Sequence, residues 1–214
     1  MDDQEFPTLL NQVTVAIVLT GFILSLGLWP VYPTPPRLND ISVFFVIILL
    51  FVSFFLGTVI YIITRVSEAV LVRRGVIDGH KEVFNAIMND SDRLGETATD
   101  VFYERVKDRY DVEREYVEEN LLDFYRMIVS TVLRSQLGMS KTLMGIYIFC
   151  RGLLLVFPIL ALIYIALPTR YPEAPLLILC TFFFGVFLVG YRTFKRYYVQ
   201  YLITDYSSIQ SDAS

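Results

Sequence analysis

One arginine stands inside an otherwise apolar run. The stretch Ile146–Pro158 reads IYIFCRGLLLVFP, and Arg151 is its single charge. A charged side chain at the centre of a bilayer costs about 2.5–3.5 kcal/mol on insertion scales and marks function by default. Three kinds of chemistry are open to it: snorkelling to headgroups, an interhelical bond, or contact with an anion, a lipid headgroup or a pore. Tyr147, four residues earlier, can meet the guanidinium by hydrogen bond or through its ring face. Counted along a helix from Leu167, Arg151 lies about 24 Å from the outer face, against a hydrocarbon core about 30 Å thick. That depth puts it near the inner boundary, where its stem can carry the charge to the headgroups. Arg151 with Tyr147 is therefore the candidate inner-mouth or headgroup contact. The apolar runs contain no acidic residue, so no intramembrane ion pair is expected. A site acting on lipid would need a second polar group at the same interface, such as Glu68 or Asp205.

The other residues with chemical potential read more plainly. Asp108, Asp111, Glu113, Glu115, Glu118 and Glu119 alternate with Arg105, Lys107, Arg109 and Arg114. Opposite charges three or four apart are the ordinary support of a solvated helix face, and the same face is a candidate docking surface for a partner. His80, the single histidine, reads as a solvated residue at a helix start, because a working site needs further convergent groups. Cys150 and Cys180 read as small buried hydrophobes, too different in depth for a disulfide. Zinc spacings, phosphate loops, nucleophile elbows and dinucleotide fingerprints do not occur. No catalytic residue, metal site or cofactor is expected, and the chain is read as a non-enzyme.

Stepping from these residues to what must carry them, the solvent is a bilayer. Of 214 residues, 55% are hydrophobic and mean hydropathy is +0.53, above the roughly 45–50% apolar content of soluble domains. The net charge of −4 excludes a strongly basic nucleic-acid surface. Four apolar segments follow: Leu9–Trp29, Ile41–Thr64, Leu143–Leu167, and one from Leu176 to about Tyr191. A spanning helix needs about 20 apolar residues. The first pair is joined by PVYPTPPRLND and the second by PTRYPEAP, short proline-rich connectors that make two tight hairpins. The shared Tyr-Pro-x-x-Pro spelling at Tyr32–Pro36 and Tyr171–Pro175 is either the trace of a repeat or the ordinary dress of a membrane hairpin. The acidic start MDDQEFP is unlike a secretory leader, so the first segment is expected to be retained.

The expected fold is thus an all-α integral membrane protein. It has four transmembrane helices as two hairpins, with a cytoplasmic helical module between helices 2 and 3. The expected parts are residues 1–66 (first hairpin), 67–140 (module), 141–198 (second hairpin) and 199–214 (cytoplasmic tail). Arg65, Arg73, Arg74, Arg134, Lys141, Arg192, Lys195 and Arg196 flank one side and Arg37 and Arg170 the other, which puts both termini in the cytoplasm of a multi-pass cell-membrane protein. Within the module, the second span runs on as a helix through RVSEAVLVRR to Gly75, HKEVFNAIM is a short amphipathic helix, NDSDRLGET a turn, and Thr97 to about Leu137 one long helix, which projects roughly 60 Å if straight or packs back on the proximal helices. Its apolar stripe, Phe102, Val106, Tyr110, Val117, Leu121, Tyr125 and Ile128, must be covered; HKEVFNAIM and the extension of the second span offer little surface for that, so self-association is expected. Small residues at Gly21, Ser25, Ser53, Gly57, Gly138, Gly145 and Gly152 are expected to let helices approach closely.

The functional expectation is a homo-oligomeric, non-enzymatic anchor or scaffold. It contacts the lipid bilayer, presents its charged helix to a cytosolic protein partner and binds no nucleic acid. The alternative is an oligomeric channel or membrane-permeabilising effector gated by the module.

Overall fold

The computed structural model describes residues 6–31, 43–88, 96–134, 138–169 and 171–209. The described residues form helices α1 (Phe6–Gly27), α2 (Val43–Arg73), α3 (His80–Met88), α4 (Glu96–Tyr110), α5 (Arg114–Glu119), α6 (Leu121–Arg134), α7 (Met139–Ala166) and α8 (Glu173–Ser208), with a 3-10 turn at Trp29–Val31. Four of them, over Gln12–Val31, Val46–Arg73, Met139–Ala166 and Glu173–Ser208, are long and apolar enough to cross a membrane. The chain is a multi-pass helical membrane protein with helical segments between its second and third spans. The first connector and the NDSDRLGET turn lie largely outside the described residues, as does most of the Tyr-Pro-x-x-Pro comparison.

Two compact units share the chain: one is Gln12–Val70 with Gly145–Thr193, the other Met1–Asn11 with Leu71–Met144 and Phe194–Ser214. The first is the span bundle. Its α1 and α2 cross at small residues, as expected. A methyl group added at Gly21 would collide with the Ser53 carbonyl oxygen and the Gly57 nitrogen, and one at Gly57 with the Ile17 carbonyl. Gly152 of α7 likewise faces Thr20 of α1. Tyr164 donates its hydroxyl to the Gly27 carbonyl, tying α7 to the end of α1. Between α7 and α8, Phe157 stacks on Phe183 at 5.4 Å and on Phe187 at 5.7 Å; such pairs contribute about 0.5–1.5 kcal/mol beyond their buried area. Leu153, Val156 and Leu160 are buried in the apolar cluster that α7 shares with its neighbours. The outward face of α2 is apolar, with Phe51 76% exposed and Phe55, Ile62 and Val66 beside it. A face of that kind is covered by lipid tails.

The second unit is a helical module. α2 ends as its sequence dictates: Gly75 has φ +68°, its N–H reaches the Val72 carbonyl, and the Val76 N–H reaches that of Leu71. This pair of bonds is the Schellman stop, and it needs a residue that tolerates a left-handed backbone. α3 buries Val83, Phe84, Ile87 and Met88, the face read from its spacing.

The single long helix expected from Thr97 to about Leu137 does not form. Asp111 turns into the left-handed region at φ 51°, which Asp tolerates better than most residues, and residues 111–113 separate α4 from α5. Asn120 ends α5. The apolar spacing does not mark the break, because Phe102, Val106 and Tyr110 step by four and Val117 follows at seven, all on one helical face. The breaks bring both runs to one core.

The fourth span also differs from its sequence limits. α8 begins at Glu173, with Pro175 in its first turn where a missing N–H does no harm, and it runs to Ser208. Residues 199–208, read from the sequence as part of a tail, are therefore the end of this helix. Tyr198, Val199, Leu202, Ile203 and Tyr206 are buried, and their spacing is one helical face.

Candidate functional site

Among the bundle's described polar residues, Ser53 is buried with no hydrogen-bond partner for its hydroxyl, and others are bonded. The Thr20 hydroxyl donates to the Ala16 carbonyl and the Thr64 hydroxyl to that of Tyr61, so each is satisfied within its own helix. Glu68, Arg151, Tyr147 and Tyr191 are bonded between helices instead.

The centre is the Glu68 carboxylate, carried by α2. Arg151 of α7 donates from Nη1 to Glu68 Oε2 at 2.8 Å. Tyr147, one turn before Arg151 on the same face of α7, donates its hydroxyl to both carboxylate oxygens at 2.6 Å. Tyr191 of α8 donates to Oε1 at 2.7 Å. Three donors from two helices thus converge on one carboxylate from a third. The guanidinium lies 5.2 Å from the Tyr61 ring centroid and 5.5 Å from that of Tyr147, within cation–π range. The Tyr147 and Tyr191 rings are 5.5 Å apart. The ion pair is nearly enclosed, with side-chain exposures of 10% for Arg151 and 12% for Glu68. Arg151 Nε is buried and has no acceptor.

Helical rise places this cluster at the end of the bundle remote from the connectors. Arg151 is fifteen residues from Ala166 and Tyr191 eighteen from Glu173, or about 22 and 27 Å, close to one hydrocarbon thickness.

The expectation of an arginine without an acidic partner is corrected here. Glu68 sits one turn past the apolar run that ends at Thr64, yet α2 is helical through it. Arg151 turns its charge to that helix and not outward. The contact with Tyr147 does form. Of the two acids named as partners, Glu68 is brought to Arg151, whereas Asp205 accepts the Ser140 N–H at 2.9 Å inside the module.

The stripe expected to drive self-association is the module's core. Phe102, Val106, Val117 and Ile128 are buried, and Tyr110 and Tyr125 pack against them; the Leu121 side chain lies outside the described residues. The cover that a second copy was to supply comes from α3 and from the last turns of α8. The signal was present in the spacing from Tyr198 to Tyr206, but it falls beyond the limit at which the span's apolar run was judged to stop.

The outer side of the module is charged. Glu104, Lys107, Asp108, Arg109, Asp111, Glu113, Glu115, Glu118 and Glu119 are exposed. Arg114 meets Glu118 at 2.8 Å as an i,i+4 helix-surface pair, and Lys107 meets Glu113 at 3.2 Å across the break between α4 and α5. Arg114 also lies over the Tyr103 ring at 4.3 Å. Burial, then the neighbouring Glu118 charge, raises the Tyr103 pKa. Among the described residues, no group of three or more His, Cys, Asp or Glu is placed to hold a metal ion. His80 opens α3 as expected, but it packs edge-on to Tyr198 at 5.6 Å and is half-buried. Lys195 is buried and donates to the Asp78 carbonyl at 2.6 Å. Cys150 and Cys180 are free and buried. No protein-family model matches this chain, and neither does any curated protein or solved structure.

Proposed function

We propose that this chain is a non-enzymatic membrane anchor of the cell membrane, with its termini and module in the cytoplasm and the charged surface of α4 and α5 as the docking face for a cytosolic protein. One observation carries the reading. The module encloses its apolar residues in its own core and leaves a dense run of charges outside, from Glu104 to Glu119. Acidic residues outnumber basic ones in that run, which favours a partner with a basic patch. The arginine and lysine bias supports the orientation. Self-association through the Phe102–Ile128 stripe has no place in the proposal, because that stripe is already covered.

The test uses single cysteines introduced at Asp108 and Glu115. Cys150 and Cys180 are buried and should leave the background low. Membrane-impermeant maleimide should label the new cysteines in inside-out vesicles and not in intact cells. Photo-crosslinkers at the same positions should capture one soluble protein, and charge reversal of Glu113, Glu118 and Glu119 to Lys should abolish the adduct. Labelling from outside the cell, or no adduct at either position, refutes the reading.

A further inference from the structure

The Glu68 carboxylate is held as a receptor holds an anion. Its partners are one guanidinium and two phenol hydroxyls, all donors, at 2.6–2.8 Å. They come from α7 and α8, while the acceptor comes from α2. The donor set also exceeds what the carboxylate uses, because Arg151 Nε is buried without an acceptor, and Arg151 itself is more than nine-tenths buried. A guanidinium grips carboxylates and phosphates alike through paired N–H groups, but a carboxylate offers two oxygens and a terminal phosphate three, so a phosphate can use more donors.

We propose that Arg151, Tyr147 and Tyr191 form an anion site for a phosphate monoester group, and that Glu68 occupies it as an internal stand-in which the phosphate displaces. Two sources supply that chemistry at the edge of a bilayer: a lipid headgroup ending in a phosphomonoester, and free phosphate. The displaced Glu68 has somewhere to go. Arg65, three residues earlier on α2, is exposed and within ordinary helical pairing distance. A ligand that must displace a resident acceptor binds with its affinity reduced by the fraction of molecules already open. Removing the charge of Glu68 while keeping its shape should therefore tighten binding.

The test titrates the purified full chain in detergent by calorimetry. One arm uses inorganic phosphate and the other short-chain phosphatidic acid, with short-chain phosphatidylcholine, a phosphodiester, as control. Glu68→Gln should bind in at least one arm about tenfold or more tighter than wild type, a change equivalent to about 1.4 kcal/mol, and Arg151→Met in that background should abolish it. Binding in the lipid arm alone assigns a headgroup; binding in both assigns the phosphate group itself. Equal affinity in Glu68→Gln and wild type, no binding in either arm, or binding that survives loss of Arg151 overturns the proposal. If Glu68→Gln does not elute as a folded protein, wild type decides in the same arms. Binding that Tyr191→Phe weakens supports the site, and no binding, or binding that Tyr191→Phe leaves unchanged, overturns it.

Discussion

Breaking the Glu68–Arg151 pair from one side should cost nearly as much as removing both of its members. Arg151→Met leaves a carboxylate with two phenol donors and no counter-charge; Glu68→Gln leaves a guanidinium enclosed without its partner. Losing one member of a buried pair costs about 3–5 kcal/mol, and replacing both is often near neutral. Here each side chain keeps about a tenth of its exposure, so about 3 kcal/mol per single variant is expected, the low end of that range. The double variant should lose about 3–4 kcal/mol and not the roughly 6 kcal/mol of simple addition, a coupling of about 2–3 kcal/mol, within the span seen for residues in one network. The assay is equilibrium unfolding of the four proteins in phosphate-free mixed micelles, followed by helical signal as the denaturing detergent fraction rises. Additivity of the two single losses to within about 0.5 kcal/mol would refute the claim that the pair acts as a unit.

Two further perturbations separate the rest of the fold. Gly57→Val drives a branched side chain into the Ile17 carbonyl and should lower the unfolding midpoint sharply, whereas Gly185→Ala, which meets nothing within 4 Å, should leave it unchanged; similar effects from both would undo the close-crossing account of α1 and α2. Val117→Asp buries a charge in the module's core, where Val117 is 1% exposed, and should make residues 96–134 protease-sensitive; a protease-resistant variant with altered mass by light scattering would restore the self-association reading of that stripe.

Much of the fold was legible because its strongest signals are local. Apolar runs of spanning length, the Gly75 stop, the α3 face and the Gly21, Ser53 and Gly57 crossing follow from residue type and spacing. The misreadings share one cause, in that each was judged within a single segment. Arg151 was set against the apolar runs, none of which holds an acid, while its partner Glu68, 83 residues away in sequence, stands just past the end of one of them. The stripe from Phe102 to Ile128 was weighed against the module alone, while its cover includes the far end of the chain. Hydropathy also hid one continuation. The run after Arg192 contains charges, so an apolar-run criterion stops before it, although helical spacing continues through it. Asp111 escaped for a different reason, since a left-handed residue other than glycine leaves no composition signal.

The distribution of directional contacts explains why one charged pair matters in so apolar a bundle. Lipid tails are as apolar as leucine, so burying Leu and Phe between spans does not by itself fix how one helix slides along another. Register must come from contacts with a required geometry, and four helices need at least three such links. Among the described residues, α1 and α2 are linked by backbone approach at Gly21 and Gly57, and α1 and α7 by Tyr164 on the Gly27 carbonyl and Gly152 on Thr20. The Glu68 carboxylate then links α2 to α7 through Arg151 and Tyr147 and to α8 through Tyr191. Beside the phenylalanine stack and the apolar contacts of Leu176, Leu177 and Cys180, the Tyr191 bond to that carboxylate gives α8 a directional tie to the bundle. Among the described residues, the cluster is thus a place where a change at a single side chain alters the relation among three spans.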